Sequence, residues 1–120
     1  MSKSVMLEKA KDFAVEIIIV CKQIKLTSHE SVLTNQLIRS GTSIGANIHE
    51  SKYGHSVPDF VFKMKIALKE CYESEYWLEL LHRTDYLSDA QYNSLSNSCG
   101  SIRRMLISSI NTVSKNNNIE

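Results

Sequence analysis

Residues 35–50 read NQLIRSGTSIGANIHE, and the fold turns on what kind of helix this stretch is. Leu37, Ile44 and Ile48, with Leu33 just upstream, recur at the spacing of one helical face. The remaining residues are poor helix formers. Gly41 and Gly45 each cost about 1 kcal/mol relative to Ala in a helix interior. The hydroxyls of Thr42 and Ser43 compete for backbone groups and add smaller costs. A solvated surface helix has no use for this composition. Small side chains let a neighbouring helix come close, and hydroxyl, amide and charged groups let it make polar contacts. Gly41-x-x-x-Gly45, flanked by Ser40 and Ala46, also shares the spacing of close-packed membrane helices. The stretch therefore reads as a helix packed tightly against others.

Outward from it, the chain divides into long segments of helical period. The helix holding the quoted stretch is expected over about 28–53, opened by Thr27-x-x-Glu30 in the form of a capping box and stopped by Gly54. Before it, Met6, Ala10, Phe13, Ile17, Val20 and Ile24 line one face of a helix over about 4–25, which Leu7, Ala14, Ile18 and Cys21 widen. After it, Ser56-Val57-Pro58-Asp59 opens a third helix over about 57–83: Ser56 can cap, Pro58 suits the first turn, and Asp59 suits the positive end of the dipole. Its core row is Phe60, Met64, Ala67, Cys71, Ser74, Leu78 and Leu81. Ser88-x-x-Gln91 is a second capping box and starts a fourth helix over about 88–113, with Leu95, Cys99, Ile102, Leu106 and Val113 facing inward. The polar tail SKNNNIE is expected to fray. Short connections between long helices favour antiparallel neighbours, so the predicted fold is all-α: one antiparallel up-down-up-down four-helix bundle domain spanning residues 1–120.

Composition narrows the function classes. Fourteen Lys and Arg stand against thirteen Asp and Glu in 120 residues, so no strongly basic surface advertises nucleic-acid binding. The charge is uneven: residues 1–69 carry ten basic and six acidic groups, and residues 70–120 carry four and seven. Opposed halves can satisfy each other across a bundle or between subunits. Three widely spaced cysteines, Cys21, Cys71 and Cys99, suit reduced core thiols rather than a disulfide framework. The charged start MSKSVMLEKAKDF lacks the apolar run of a signal peptide, and the apolar run Ile17–Cys21 is too short to span a bilayer. A cytoplasmic protein without a membrane partner is expected.

The polar residues of the second helix form a stripe. Arg39, Ser43, Asn47 and Glu50 share a face beside the apolar row, and Lys63, Glu70, Glu73 and Trp77 form a comparable stripe on the third helix. In an antiparallel hairpin Arg39 is expected near Glu73 or Trp77, Ser43 and Asn47 near Glu70, and Glu50 near Lys63. The expectation is a partly buried network that fixes register, and removing Arg39 from it would cost roughly 3–5 kcal/mol where the charge left unpaired is truly buried. Phe62, Leu68, Tyr72 and Tyr76 lie outside the third helix's core row, which is more apolar surface than one bundle core takes and points to self-association.

Other chemistries find little support. Glu79-x-x-His82 is a lone match to a motif that di-iron bundles need twice, so no metal or cofactor is expected. Glu70 and Glu73 have compensating cations in Arg39 and Lys63 and no nucleophile beside them, which argues against an enzyme. His29, His49 and His55 fall near helix ends. Lys9, Lys11, Lys22 and Lys25 on the first helix, with Arg103 and Arg104 on the fourth, are the candidate nucleic-acid contacts.

Leu37-Ile38-Arg39-Ser40, Ser43-Ile44-Gly45-Ala46-Asn47-Ile48-His49-Glu50 and the run from Phe60 through Lys63, Ile66-Ala67-Leu68-Lys69-Glu70, Glu73 and Tyr76-Trp77-Leu78 resemble the bundle proteins encoded in 23S rRNA intervening sequences, the S23 ribosomal proteins. The accessory variability protein of diversity-generating retroelements looks like a relative. The resemblance covers nearly the whole chain and implies a four-helix protomer in a ring-like homopentamer. The retroelement relative is similar to a basic, nucleic-acid-binding partner of a reverse transcriptase, whereas this chain is nearly neutral. The expected function is a non-enzymatic oligomeric scaffold or binding protein, with structured RNA or a nucleic-acid-processing protein as candidate partner. The alternative is a protein–protein adaptor without nucleic-acid binding.

Overall fold

The structure, a computed structural model, describes the backbone of residues 3–117 and the side chains of residues 5–117. Four helices follow one another: α1 (Lys3–Ser28), α2 (Val32–Ser51), α3 (Val57–Arg83) and α4 (Asp89–Asn116). Helix α1 packs on α2 and α4, and α3 packs on the same two, so α1 and α3 stand diagonally opposite across the core. The helices thus stand at the corners of a square in chain order, an antiparallel four-helix bundle of 48 × 22 × 22 Å. Helix α4 runs beyond the expected stop at 113 to Asn116; the end of the expected frayed tail, residues 118–120, lies outside the described residues.

The helix ends show what local chemistry does. Ser56 accepts from the Asp59 amide at 3.3 Å, with Pro58 in the first turn of α3. Ser88 and Gln91 form a reciprocal capping box at 3.0 and 3.1 Å. The expected box at Thr27 does not form. Thr27 belongs to α1 and donates its hydroxyl to the Gln23 carbonyl at 2.9 Å. His29, at φ 56°, turns the chain, and the Glu30 carboxylate accepts from the Leu33 and Thr34 amides, both at 2.8 Å. A carboxylate with two oxygens at the positive end of a helix is a stronger acceptor than a single hydroxyl. Helix α2 therefore starts at Val32, later than expected.

It also stops at Ser51, before Gly54. Gly54 does not take the left-handed conformation expected of a glycine stop; a Cβ there would sit 3.3 Å from both the Asp59 Cβ and the Phe60 nitrogen. Its role is clearance for the start of α3.

The core follows the periodicity closely. Met6, Ala10, Phe13, Ile17, Cys21 and Ile24 of α1 are buried with Leu37, Ile44 and Ile48 of α2. Met64, Ala67, Cys71, Leu78 and Leu81 of α3 meet Leu95, Cys99, Ile102 and Leu106 of α4. Val61, Leu87 and Ile110 join them. Val20, Leu33, Phe60 and Val113 sit at the margin. Ile18, expected to widen the core face of α1, is exposed. The thiols are core groups: burial pushes Cys21 up to about 11, and Cys99 is pushed far up by its hydrogen bond with Cys71 and by burial.

Candidate functional site

The polar seam between α2 and α3 begins at Arg39. Its guanidinium contacts the Glu73 carboxylate and lies 3.5 Å from Glu70 Oε1. It also donates to Gln36 Oε1 at 3.4 Å. Trp77 Nε1 donates to the same Glu73 oxygen at 3.4 Å. Lower on the hairpin, Lys63 Nζ pairs with Glu50 Oε1 at 2.8 Å, and this bond holds the Glu50 carboxyl below its usual value. The seam is far from sealed. Side-chain exposure is 48% for Arg39, 28% for Glu73 and 13% for Glu70. Lys63 and Glu50 stand at 36% and 54%.

Ser43 and Asn47 are placed otherwise than expected. Ser43 donates back to the Arg39 carbonyl at 2.7 Å, and Asn47 donates to the Ser43 carbonyl at 2.8 Å. Both satisfy themselves along α2, as short polar side chains in helices commonly do, and neither bonds Glu70. The buried polar link between the helices is one the stripe reading missed. Ser74 Oγ donates to Ser40 Oγ at 2.8 Å, with both residues fully buried. Ser74 lay in the apolar row of α3, and a hydroxyl at a core position was the available signal.

The glycines face the other way. A Cβ on Gly41 would lie 3.3 Å from Cγ1 and Cγ2 of Ile17, and one on Gly45 would lie 3.5 Å from the Ala10 Cβ. They clear room for α1, not for α3.

The basic residues do not converge. Lys9 and Lys22 are exposed, Lys11 pairs with Glu8 at 3.4 Å, and Lys25 donates to Asn35 Oδ1. Arg103 is committed within the protein: its Nε reaches both Glu75 oxygens at 3.1 and 3.2 Å, and its guanidinium lies 5.9 Å from the Tyr72 ring centre. Arg104 is exposed beside it.

The two residues of the lone metal-type motif are taken up by separate contacts. Glu79 pairs with Arg83 at 2.7 Å, whereas His82 bonds Asp89 at 2.7 Å and stacks on Tyr92 with ring centres 4.2 Å apart. Among the described residues no group of three or more His, Cys, Asp and Glu side chains is placed to hold a metal ion. A groove of about 340 Å³ between α1 and α4 is lined by Glu16, Ile19, Val20, Gln91 and Leu95, among others. Another of about 320 Å³ runs between α1 and α2 past Gly45 and His49. Neither is lined by Glu70 or Glu73. Among the described residues no helix is long and apolar enough to cross a membrane.

Known proteins share this arrangement. Residues 2–108 match the model of the 23S rRNA-intervening sequence protein family. A crystal structure from Bacteroides thetaiotaomicron VPI-5482, of a protein with unknown function from the S23 ribosomal protein family, is 46% identical. The match covers 92% of this chain and 99% of that one, with a TM-score of 0.90. Among curated proteins no relative is found.

Proposed function

The chain belongs to the 23S rRNA-intervening sequence protein family, and from that premise we propose that it works as a non-enzymatic, cytoplasmic scaffold assembled into a homopentamer, with structured RNA as its ligand. The observation that carries assembly is the apolar surface left outside the core. Phe62, Tyr72 and Tyr76 of α3 are 53–62% exposed, and Val15, Ile19 and Leu26 of α1 are 54–78% exposed. Aromatic and aliphatic side chains at that exposure, in rows along two helices, suit contact with other copies. Repetition around a ring would multiply the weak RNA contacts that Lys9, Lys22 and Arg104 can make in one protomer.

The alternative, a protein–protein adaptor, is favoured by one observation: Arg103 is engaged by Glu75, which takes one of the expected phosphate contacts out of play. Light scattering of the purified chain tests the assembly, and a monomer would refute it. Titration of rRNA fragments at several salt concentrations separates the two ligands. RNA binding predicts affinity that falls steeply with salt, about one power of salt per phosphate neutralised. Absence of binding at low salt selects the adaptor.

A further inference from the structure

Gly100 of α4 makes room for charge. A Cβ there would lie 3.3 Å from Arg104 Nη1 and 3.4 Å from Arg103 Nη2, and the nearest atoms outside the helix backbone all belong to these two guanidinium groups. Side chains on a helix lean toward its N-terminus, so both arginines fold back over a turn that offers no side chain. Glycine is unfavourable in a helix interior, and here no neighbouring helix uses the clearance. As a set the basic side chains stay apart, yet these two lie over one glycine. Glu75 takes the Nε edge of Arg103 and neutralises it. Arg104 makes no ion pair among the described residues.

The outer face of α4 continues this character. From Ala90 to Asn117 the chain holds no acidic residue. Ser101, Arg104, Ser108, Asn111 and Lys115 recur at intervals of three and four residues. They share a face turned away from the buried row of Leu95, Cys99, Ile102 and Leu106. Ser101 is half-buried, and the other four are exposed. Among the described residues, none of the five spends a side-chain hydrogen bond within the protein. By contrast, Thr42, Ser43 and Asn47 of α2 all bond carbonyls of their own helix. Lys9 of α1 opens on the same side, lining a hollow of about 180 Å³ with Ser98 and Ser101. Asp12 and Glu16 line that hollow too. Because α1 and α4 are antiparallel neighbours, the two acids border the stripe at its Ser101 end and do not run along it.

We propose that this stripe on α4 grips base-paired RNA by its sugar–phosphate backbone. The proposal rests on the RNA reading above and names the surface and the form of RNA. Arg104 and Lys115, about 16 Å apart along the helix, take phosphates. The hydroxyls and the amide between them donate to and accept from ribose 2′-hydroxyls. The stripe holds no aromatic ring, so it offers no platform for an unstacked base, which recognition of single strands uses. It holds no apolar side chain either, which removes the core that a protein partner would bury. Contacts of this kind read shape, not sequence. Arg103, pinned and neutralised by Glu75, borders the site without adding free charge. Gly100 is a positioning residue that lets the Arg104 guanidinium lie along the helix.

Fluorescence anisotropy with a labelled RNA hairpin, a single-stranded RNA of the same length and a DNA hairpin tests this at several salt concentrations. The RNA hairpin is expected to bind most tightly, and changing its stem sequence should matter little. At unchanged light-scattering mass, Arg104→Gln should lower the slope of log affinity against log salt by about one. Ser108→Glu, which sets an acid among the phosphates, should abolish binding. Lys69→Gln, on the exposed surface of α3, should bind as wild type does. Gly100→Ala separates the site from the fold. Alanine is the better helix former, so the variant should melt at or above wild type, yet bind the hairpin more weakly because its Cβ displaces the guanidinium ends. A wild type that binds none of the three nucleic acids at low salt would refute the RNA reading itself. A wild type that binds the hairpin while Arg104→Gln and Ser108→Glu bind equally well would leave that reading standing and overturn the α4 face. Tighter binding of the single strand would overturn the base-paired form.

Discussion

Facing α1, helix α2 offers Gly41 and Gly45 to the side chain of Ile17 and to Ala10. Facing α3, it offers Ser40, Arg39 and Glu50 to Ser74, Glu70, Glu73 and Lys63. The first seam is largely apolar, tight where Gly41 meets Ile17 and bordered by a groove beside Gly45. The second is polar and graded, from a sealed hydroxyl pair to an exposed ion pair. The difference explains why one helix tolerates so many poor helix formers. The glycines are there for distance, and the serine and arginine for register. Stability should therefore concentrate on the apolar side, because burial and packing exceed what exposed ion pairs contribute.

The strongest way to break that comparison is Ile17→Ala. Ile17 is fully buried against Gly41, and a glycine has no side chain to collapse into the space left. A loss of about 2–5 kcal/mol is expected in urea unfolding. A loss below about 1 kcal/mol would show that the apolar seam relaxes freely and is not where stability resides.

On the polar side the largest effect belongs to the serines. Ser40→Ala strands the buried Ser74 hydroxyl, which donates to Ser40, and should cost roughly 1–3 kcal/mol; Ser74→Ala leaves the Ser40 hydroxyl its 3.4 Å bond to the Leu37 carbonyl and should cost less. The double variant should cost clearly less than the sum, since no polar group is then left unpaired. Additive losses in a double-mutant cycle would mean that the hydroxyls do not depend on each other.

Arg39→Met should cost about 1 kcal/mol or less, and less still in high salt, because Arg39 is half-exposed. This is well below the effect expected of a sealed network. A loss of roughly 3–5 kcal/mol in thermal unfolding would mean that the seam is buried by something outside the single chain.

Much of this was legible from sequence, for definite reasons. Period 3.6 located the helices, and the cap at Ser56 and the reciprocal capping box at Ser88 marked starts because their geometry is local. Arg39 opposite Glu73 and Glu50 opposite Lys63 followed from the antiparallel hairpin alone, and long side chains reach across it. Ser43 and Asn47 were misassigned because a stripe gives the face but not the partner; short side chains found their own carbonyls first. Thr27 failed as a cap for a similar reason: Gln23 offered its hydroxyl a carbonyl inside α1. Which neighbour the glycines served was not legible, since a missing side chain points nowhere until both flanking helices are in place.

The glycines sharpen the comparison within the apolar seam. At Gly45 a new Cβ meets Ala10 at ordinary contact distance, 3.5 Å, so Gly45→Ala should gain up to about 1 kcal/mol of helix propensity. At Gly41 it meets Ile17 at 3.3 Å on two branches of a stiff side chain. Gly41→Ala should therefore fall short of the gain at 45 or lose stability outright. Equal melting temperatures for the two variants would remove the steric distinction between them.

The exposed end of the polar seam gives the smallest effect and a pH signature. Lys63 holds the Glu50 carboxyl below its ordinary 4.5. A carboxyl depressed in the folded state binds protons less readily there than in the unfolded chain, so its contribution to stability is present above the unfolded value. That contribution is lost as pH falls through the folded one. Wild type should melt slightly above Glu50→Gln near neutral pH, and the two should converge once pH drops well below 4.5. Solvent screening keeps the gap small at any pH. Carboxyl NMR titration gives the direct measurement: a Glu50 midpoint at or above 4.5 would show that the Lys63 bond does not persist in solution. Register on this side would then rest on Arg39 and the serine pair alone.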